Sequence, residues 1–283
     1  MTFAKETKTT AAVSYKTAAA RRAKRDKYFK IGSLILFFLL WEVLGRINDA
    51  CQWVDPKFFP VPTGIIASAY TYLTDGTLFT HLGISVYRVV VGYAIDVVIA
   101  IVLGSLIASF KTMDNIFSPI INLFSPIPIM AFLPMFILWF GIGEQSKVIL
   151  IAYTTIIYML SYVTEGIKDT DPVLIRSAVS LGANPWQFFT RVKFQSAFPN
   201  IFLGMKGALG TAFGAMVVAE MMGASTGLGY IIVFSKNWFK MNDMMMAAIA
   251  IGLLYSLMFV ILTVVESALF KWKKETTGGA VEK

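Results

Sequence analysis

The sequence predicts an all-α integral membrane protein with about six transmembrane helices. Of its 283 residues, 57% are hydrophobic and only 15% are charged, whereas soluble domains carry about 25% charged residues. Apolar runs recur from residue 31 to residue 270 without a linker-like break, and a spanning helix needs roughly 20 mostly apolar residues. By this criterion the predicted spans are 31–47, 84–110, 116–140, 148–163, 200–222 and 246–270.

Basic residues at the two ends of the chain predict its orientation. The formal net charge is +8, and lysines and arginines concentrate before the first apolar run and after the last. Such runs can bind nucleic acid, but their position beside hydrophobic spans favours the positive-inside rule and no nucleic-acid partner. An even number of crossings then leaves both termini in the cytoplasm. The chain divides into a basic cytoplasmic tail over 1–30, a transmembrane domain over 31–270 and a cytoplasmic tail over 271–283.

The first span leads into segment 48–80, which this orientation places outside the membrane together with segment 223–245. The stretch 56–62 is stiffened by prolines, which restrict both their own backbone and that of the preceding residue. Thr63 is expected to cap a short amphipathic helix that lies along the outer surface.

The third predicted span contains four prolines. In a soluble helix each interior proline costs about 3 kcal/mol, and in lipid the freed carbonyls need other partners. Two interpretations remain open: a kinked helix that lines a passage, and a helix kinked only for packing. The prolines are Pro119, Pro126, Pro128 and Pro134.

The cytoplasmic loop over 165–199 carries clear helix boundary signals. Asp171 is a good N-cap, and Pro172 fits the first helical position. Gly182 supplies the left-handed residue that ends the helix. The same start signal repeats at Asn184 and Pro185. The loop is therefore predicted to form a helix-turn-helix, with helices over 173–181 and 186–194.

This loop carries much apolar surface for a segment in water. Leu174, Ala178 and Leu181 share one helical stripe, and Ile175 and Val179 lie beside it. Apolar patches beyond a few hundred Å² usually mark a binding site. The loop either packs wholly on its own helices or docks to a cytoplasmic partner. We expect the first helix to be exposed and the second to be packed.

The loop resembles the "EAA" loop of ATP-binding cassette import permeases. That pattern is Glu-Ala-Ala, three residues, then Gly, and segment 176–182 reads Arg-Ser-Ala, three residues, Gly. Val192 and Phe194 stand where the family has Ile and Leu. Departures from the pattern stand at Arg176, Ser177 and Gln195.

Five further blocks are similar to the nitrate/sulfonate/taurine/bicarbonate branch of these type I, binding-protein-dependent permeases: 58–62, 85–93, 126–128, 138–143 and 219–230. The likeness covers most of the chain. It implies a permease subunit in the bacterial inner membrane that forms the path for a small solute, such as a sulfonate-like anion. It also implies two ATPase subunits docked on the 171–194 loop, a second permease copy as a homodimer, and an external solute-binding protein. The implied ATPase-coupling residues are Leu174, Ile175, Ala178, Val179, Leu181 and Gly182.

Ionisable residues within spans are costly and are functional candidates by default. Arg88 and Glu220 fall near outer helix ends, where they either pair with each other or line the entry to the passage. Asp96 lies near mid-depth of the second span and must face protein or water. The candidate path residues are Arg88, Asp96, Pro126, Pro128 and Glu220.

Other chemistry has little support in the sequence. The chain has one cysteine and one histidine, so no catalytic, cofactor-binding or metal-ligating set is expected, and His81 is interpreted as an interfacial residue. No Gly-x-x-x-x-Gly-Lys-Ser/Thr phosphate loop occurs, so ATP is expected on a partner subunit. An ion-coupled secondary transporter remains the alternative, with Asp96 as its one midplane candidate. A membrane enzyme is the third and least supported hypothesis.

Overall fold

The computed structural model describes residues 3–270, with side chains described from residue 25 onward except at position 129. The described residues form helices and connecting turns, with no strand among them. The helices are α1 (Phe3–Cys51), α2 (Pro62–Thr74), α3 (Thr77–Ser109), α4 (Lys111–Phe124), α5 (Ile129–Phe140), α6 (Glu144–Lys168), α7 (Pro172–Ser180), α8 (Pro185–Gln187), α9 (Phe194–Gly223), α10 (Leu228–Asn237) and α11 (Met241–Leu269).

Five helical runs within the described part are long and apolar enough to cross a membrane: Arg25–Cys51 in α1, Thr77–Ser109, Glu144–Lys168, Pro185–Gly223 and Met241–Leu269. Met130–Phe140 is a shorter apolar helix. The predicted all-α membrane fold is therefore confirmed. The tail boundaries stay a prediction, because α1 runs without a break from Phe3 and residues 271–283 lie outside the described part.

The predicted third span is not one kinked helix but two helices. α4 ends at Phe124 and α5 begins at Ile129. Pro126 and Pro128 remove two backbone donors, and the residue before Pro128 is disfavoured from helical geometry. Pro119 and Pro134, in contrast, lie inside α4 and α5. Paired prolines two residues apart break the span, whereas single prolines are accommodated.

The centre of the molecule is a bundle of α3, α6 and α9, which pack closely through glycines. A Cβ on Gly92 would lie 2.9 Å from the Cβ of Ile151, and one on Gly104 would lie 2.7 Å from Cγ1 of Val163. Small residues at such positions let helix backbones approach each other in lipid. The buried core includes Val89, Ala100, Met159, Ile201, Leu209 and Ala212.

The two segments predicted to lie outside pack together, as their assignment to one side of the membrane requires. Ile65 of α2, Leu78 at the start of α3 and Leu228 of α10 share one apolar cluster with the start of α11. The N-cap prediction at Thr63 was wrong, since α2 begins at Pro62. The Thr63 hydroxyl instead donates to Glu42 Oε1 of α1 at 2.8 Å.

Candidate functional site

The boundaries predicted for the first loop helix are confirmed. The Asp171 carboxylate accepts a hydrogen bond from the Val173 N–H at 2.7 Å, and Pro172 occupies the first turn of α7. Gly182 has φ of +72°, the left-handed conformation that favours glycine. Asn184 then caps α8, accepting from the Gln187 N–H at 2.8 Å. Both ends of α7 are thus held by local contacts.

α7 and the residue after it carry several exposed apolar side chains. Leu181 is 87% exposed, Val179 is 66% exposed, and Leu174 is also exposed. Ala178, by contrast, is buried, and Ile175 is partly buried. The six predicted coupling residues therefore do not share one face. We call the exposed set Val173, Leu174, Val179 and Leu181 the α7 knob.

The second loop helix is not a separate element. α8 continues through a π-helical segment, Phe188–Lys193, directly into α9, so residues Pro185–Gly223 form one helical run of 39 residues. Pro199 lies inside α9 rather than at its start. The expected packing of this part holds for Phe188 and Phe189, which are partly buried. It was wrong for Trp186, which is 74% exposed.

An ion pair anchors the loop to the membrane domain. Lys168, the last residue of α6, donates to Asp114 Oδ2 of α4 at 2.7 Å, and Ser118 donates to the same carboxylate. The hydrogen bond from Lys168, and to a lesser extent that from Ser118, lowers the pKa of Asp114 below its usual value. α4 therefore tethers the point from which α7 departs.

The predicted pair Arg88 and Glu220 forms in the structure and is fully buried. Arg88 Nη1 donates to Glu220 Oε1 and to the Thr226 carbonyl, at 2.8 and 2.7 Å. Its Nε and Nη2 donate to Glu144 at 2.6 Å each. A buried guanidinium between two carboxylates satisfies the charge pairing that the membrane interior demands. The passage role of Arg88 and Glu220 stays a prediction, and neither is exposed here.

Glu144 is the functional candidate that the sequence reasoning missed. It opens α6 and is 47% exposed, whereas the predicted span began four residues later and left it in a loop. Lys147 donates to its Oε1 at 2.9 Å. An acidic residue directly after Gly-Ile-Gly, at the start of an apolar helix, was the available signal.

Glu220 also binds the first turn of α10, directly after the loop over 224–227. Its Oε2 accepts from the Gly229 N–H at 2.8 Å. Ser85 donates to Glu220 Oε1 at 2.8 Å and accepts from the Leu228 N–H at 2.9 Å. The loop is thereby bonded to the outer ends of both α3 and α9.

Gly227 allows this loop to approach the carboxylate. Its φ is +127°, and a Cβ there would lie 2.4 Å from Glu220 Cδ. The Gly227 N–H donates to Nδ1 of His81 at 2.9 Å, so His81 serves as a local hydrogen-bond acceptor. No group of metal-ligating residues occurs within the described part of the chain.

Asp96 lies inside the α3, α6 and α9 bundle and is fully buried. Neither carboxylate oxygen has a hydrogen-bond partner among the described residues. The neighbouring hydroxyls bond elsewhere: Tyr93 donates to the Met205 carbonyl at 2.7 Å, and Thr155 to the Ile151 carbonyl at 3.1 Å. Asp96 therefore faces protein rather than an open passage in this conformation, and its path role stays a prediction.

A hydroxyl-rich cavity of about 460 Å³ lies between the α4–α5 break, α6 and α9. Ser125 and Ile127, the neighbours of Pro126 and Pro128, line it. Tyr158 donates to the Tyr162 hydroxyl at 3.2 Å along its wall. None of the five predicted path residues lines this cavity itself; Pro126 and Pro128 are only adjacent in sequence to Ser125 and Ile127, which do. Its α6 lining is Tyr153, Thr154, Ile157, Tyr158, Ser161, Tyr162 and Glu165, a polar stripe at helical spacing that the sequence displayed.

These features define a class of protein: a multi-span membrane subunit with an interior cavity and an apolar knob at one end. The family described as "Binding-protein-dependent transport system inner membrane component" matches residues 100–274. The chain belongs to this family. It is an inner-membrane permease subunit of an ATP-driven importer, and the family works with ATPase and solute-binding protein partners.

Two relatives are similar in sequence to this chain over most of its length. It is 32% identical over 232 residues to the taurine transport system permease protein TauC of Escherichia coli, covering 80% of this chain and 82% of that one. It is 29% identical over 264 residues to the putative aliphatic sulfonates transport permease protein SsuC of Bacillus subtilis, covering 92% and 94%.

Solved structures share the fold. A chain of the inward-facing MetNI methionine ABC transporter aligns with a TM-score of 0.55 at 20% identity, covering 67% of this chain and 96% of that one. A chain of an amino acid ABC transporter aligns with a TM-score of 0.51 at 19% identity, covering 72% and 95%. Family and fold together favour the importer over the ion-coupled secondary transporter.

Proposed function

We propose that this chain forms half of the membrane pathway of an importer for small sulfonate-like anions. Two copies would pair as a homodimer, carry two ATPase subunits on the cytoplasmic side and receive solute from an external binding protein. ATP would be bound and hydrolysed on the ATPase subunits, and this chain would transport without catalysing a reaction. Relatives named for taurine and aliphatic sulfonates support the choice of substrate class.

The α7 knob is the observation that carries the coupling proposal. Burying one leucine side chain contributes about 1.5–3 kcal/mol, so leaving Leu174 and Leu181 in water is costly unless another subunit covers them. The caps at Asp171 and Gly182 keep the knob rigid. A rigid apolar projection can bind in a groove on an ATPase subunit and transmit the movement of that subunit.

Two connections can carry motion from the knob into the membrane. The Lys168–Asp114 pair links the start of the loop to the first turn of α4, the helix whose other end meets the α4–α5 break. The run Pro185–Gly223 leads from the loop to Glu220 near the outer end, and Glu220 lies about 52 Å along it from Pro185 at 1.5 Å per residue. Displacement of the loop would thus reach the outer loop that Glu220 holds.

The hydroxyl-rich cavity is our proposed segment of the solute path. Hydroxyls can donate hydrogen bonds to the oxygens of a sulfonate without the cost of burying a fixed charge. Thr154, Tyr158 and Ser161 place hydroxyls on the α6 wall. Tyr162, which accepts from Tyr158, can turn its own hydroxyl proton toward a solute. In this proposal Pro126 and Pro128 shape the cavity through the helix break, and Arg88 and Glu220 close its outer side. A second copy would seal the open wall of the cavity.

The test is a charge placed on the knob. Leu181→Asp exchanges a docked leucine for a carboxylate, which should weaken ATPase docking by at least about 2 kcal/mol, about thirtyfold in affinity. We expect uptake of labelled taurine into proteoliposomes containing all partners to fall at least tenfold, with membrane insertion unchanged. Ser180→Asp is the matched control, because it adds the same charge at an exposed polar position of α7.

Normal uptake by the Leu181→Asp protein, with the ATPase still bound, would refute the docking role of the knob. Loss of uptake in both variants would show that any negative charge on α7 interferes, and it would leave the apolar face without a specific role. A wild-type complex that transports other solutes but not taurine or alkylsulfonates would refute the substrate class alone.

A further inference from the structure

A second cavity, of about 790 Å³, opens between the cytoplasmic end of α3 and the π-helical segment. We call it the α3 groove. One wall is formed by Val102, Leu106 and Phe110, and the other by Phe188 and Phe189. Val102, Leu106 and Phe110 are spaced four residues apart and are all exposed. They therefore leave a continuous apolar surface uncovered along the end of α3. The groove is separate from the hydroxyl-rich cavity and shares no lining residue with it.

Lys193 is the charged residue in the lining of this groove. It is partly buried, and its Nζ lies 5.4 Å from the centre of the Phe188 ring. No carboxylate of the described residues lies within 4.0 Å of it. A partly desolvated ammonium without a counter-ion is unfavourable, so this position suits an anionic ligand.

The position of the groove in the membrane indicates which anion. It lies where α3 ends at Ser109, at the cytoplasmic end of the span. Trp186 stands at its rim, as is typical of the membrane–water interface. Lys111, next to Phe110, and Arg191, two residues from Lys193, are both exposed. Basic pockets between transmembrane helices on the cytoplasmic side bind anionic lipid head groups.

We propose that the α3 groove binds one anionic phospholipid of the cytoplasmic leaflet. The phosphate pairs with Lys193, and an acyl chain lies between Leu106 and Phe189. A second copy of the chain fits less well, because a two-fold interface centred here would bring the basic groups of both copies together. The lipid would support the base of the continuous helix that begins at α8.

Native mass spectrometry of the purified full-length chain tests this site with phosphatidylglycerol and phosphatidylethanolamine of identical acyl chains. The wild type is expected to retain more phosphatidylglycerol than phosphatidylethanolamine. Lys193→Gln should lower that retention about tenfold, the loss expected for one charged hydrogen bond. Lys30→Gln, which removes the same charge from α1 just before its apolar run, should leave retention unchanged.

Val102→Trp provides a second variant that keeps every charge and fills the groove. This variant should also retain less phosphatidylglycerol. Its circular dichroism spectrum should show the same helix content as the wild type. The proposal is overturned if both lipids are retained equally, or if Lys193→Gln behaves as Lys30→Gln does. Displacement of the lipid by glycerol phosphate would identify a site for a soluble anion instead. Loss of dimer rather than lipid in Val102→Trp would identify a contact between copies.

Discussion

Replacing Glu220 with glutamine tests whether the outer ion cluster holds the fold together. Glu220 is fully buried and accepts hydrogen bonds from Arg88, Ser85 and the Gly229 N–H. Glutamine keeps the shape but removes the charge opposite Arg88, and it turns one acceptor into a donor. Removing one partner of a buried pair costs about 3–5 kcal/mol. Arg88 retains Glu144, so we expect the lower end, about 3 kcal/mol.

The matched control is Glu144→Gln. Glu144 also bonds to Arg88, but it is 47% exposed, and pairs in contact with water contribute about 0–1 kcal/mol. A loss of 1 kcal/mol lowers Tm by about 2–4 °C in proteins of 150–250 residues. The Tm measured in detergent should therefore fall by about 6–12 °C for Glu220→Gln and by less than about 4 °C for Glu144→Gln.

Equal decreases in Tm for the two variants would refute this reasoning, because burial would then not determine how much each carboxylate contributes to stability. A stable Glu220→Gln protein would show that glutamine satisfies Arg88 and the Gly229 N–H without a charge. Proteolysis between residues 224 and 229 should increase only in Glu220→Gln, since that carboxylate binds the first turn of α10 next to the loop.

Three smaller predictions concern the loop, the cavity and the anchor. Gly182→Val places a β-branched residue at φ of +72°, a strain of about 1–2 kcal/mol, and should reduce uptake severalfold while insertion is normal; full uptake would contradict the coupling role. Tyr158→Phe removes a cavity hydroxyl and should raise the KM for taurine uptake severalfold, whereas Tyr87→Phe on the exposed face of α3 should not. The pKa of Asp114 is lowered by Lys168, so its contribution to stability is present at neutral pH and is lost as the pH falls below about 3.9. Asp114→Asn should abolish that part of the acid dependence in thermal unfolding, and an unchanged pH profile would contradict the pair.

Local signals in the sequence were sufficient for the bounds of α7 and for the cap that follows it at Asn184. Asp171, Pro172, Gly182 and Asn184 act through contacts within a few residues of themselves, so their roles were predictable without tertiary structure. The spans were predictable for a related reason, because the bilayer imposes a length and an apolar composition on each helix. The break at Pro126 and Pro128 was partly visible, since prolines there predicted disruption but not its extent.

The sequence alone could not decide which side chains meet across the bundle. Arg88, Glu144 and Glu220 lie on three different helices, and their pairing depends on how α3, α6 and α9 rotate against one another. The same rotation buries Asp96 of α3, although its helical position allowed exposure. Composition and local capping thus determined a multi-span membrane protein with a capped, apolar loop helix. Helix rotation, set by glycine contacts such as Gly92 against Ile151, determined which polar groups became a buried ion cluster and which line a cavity.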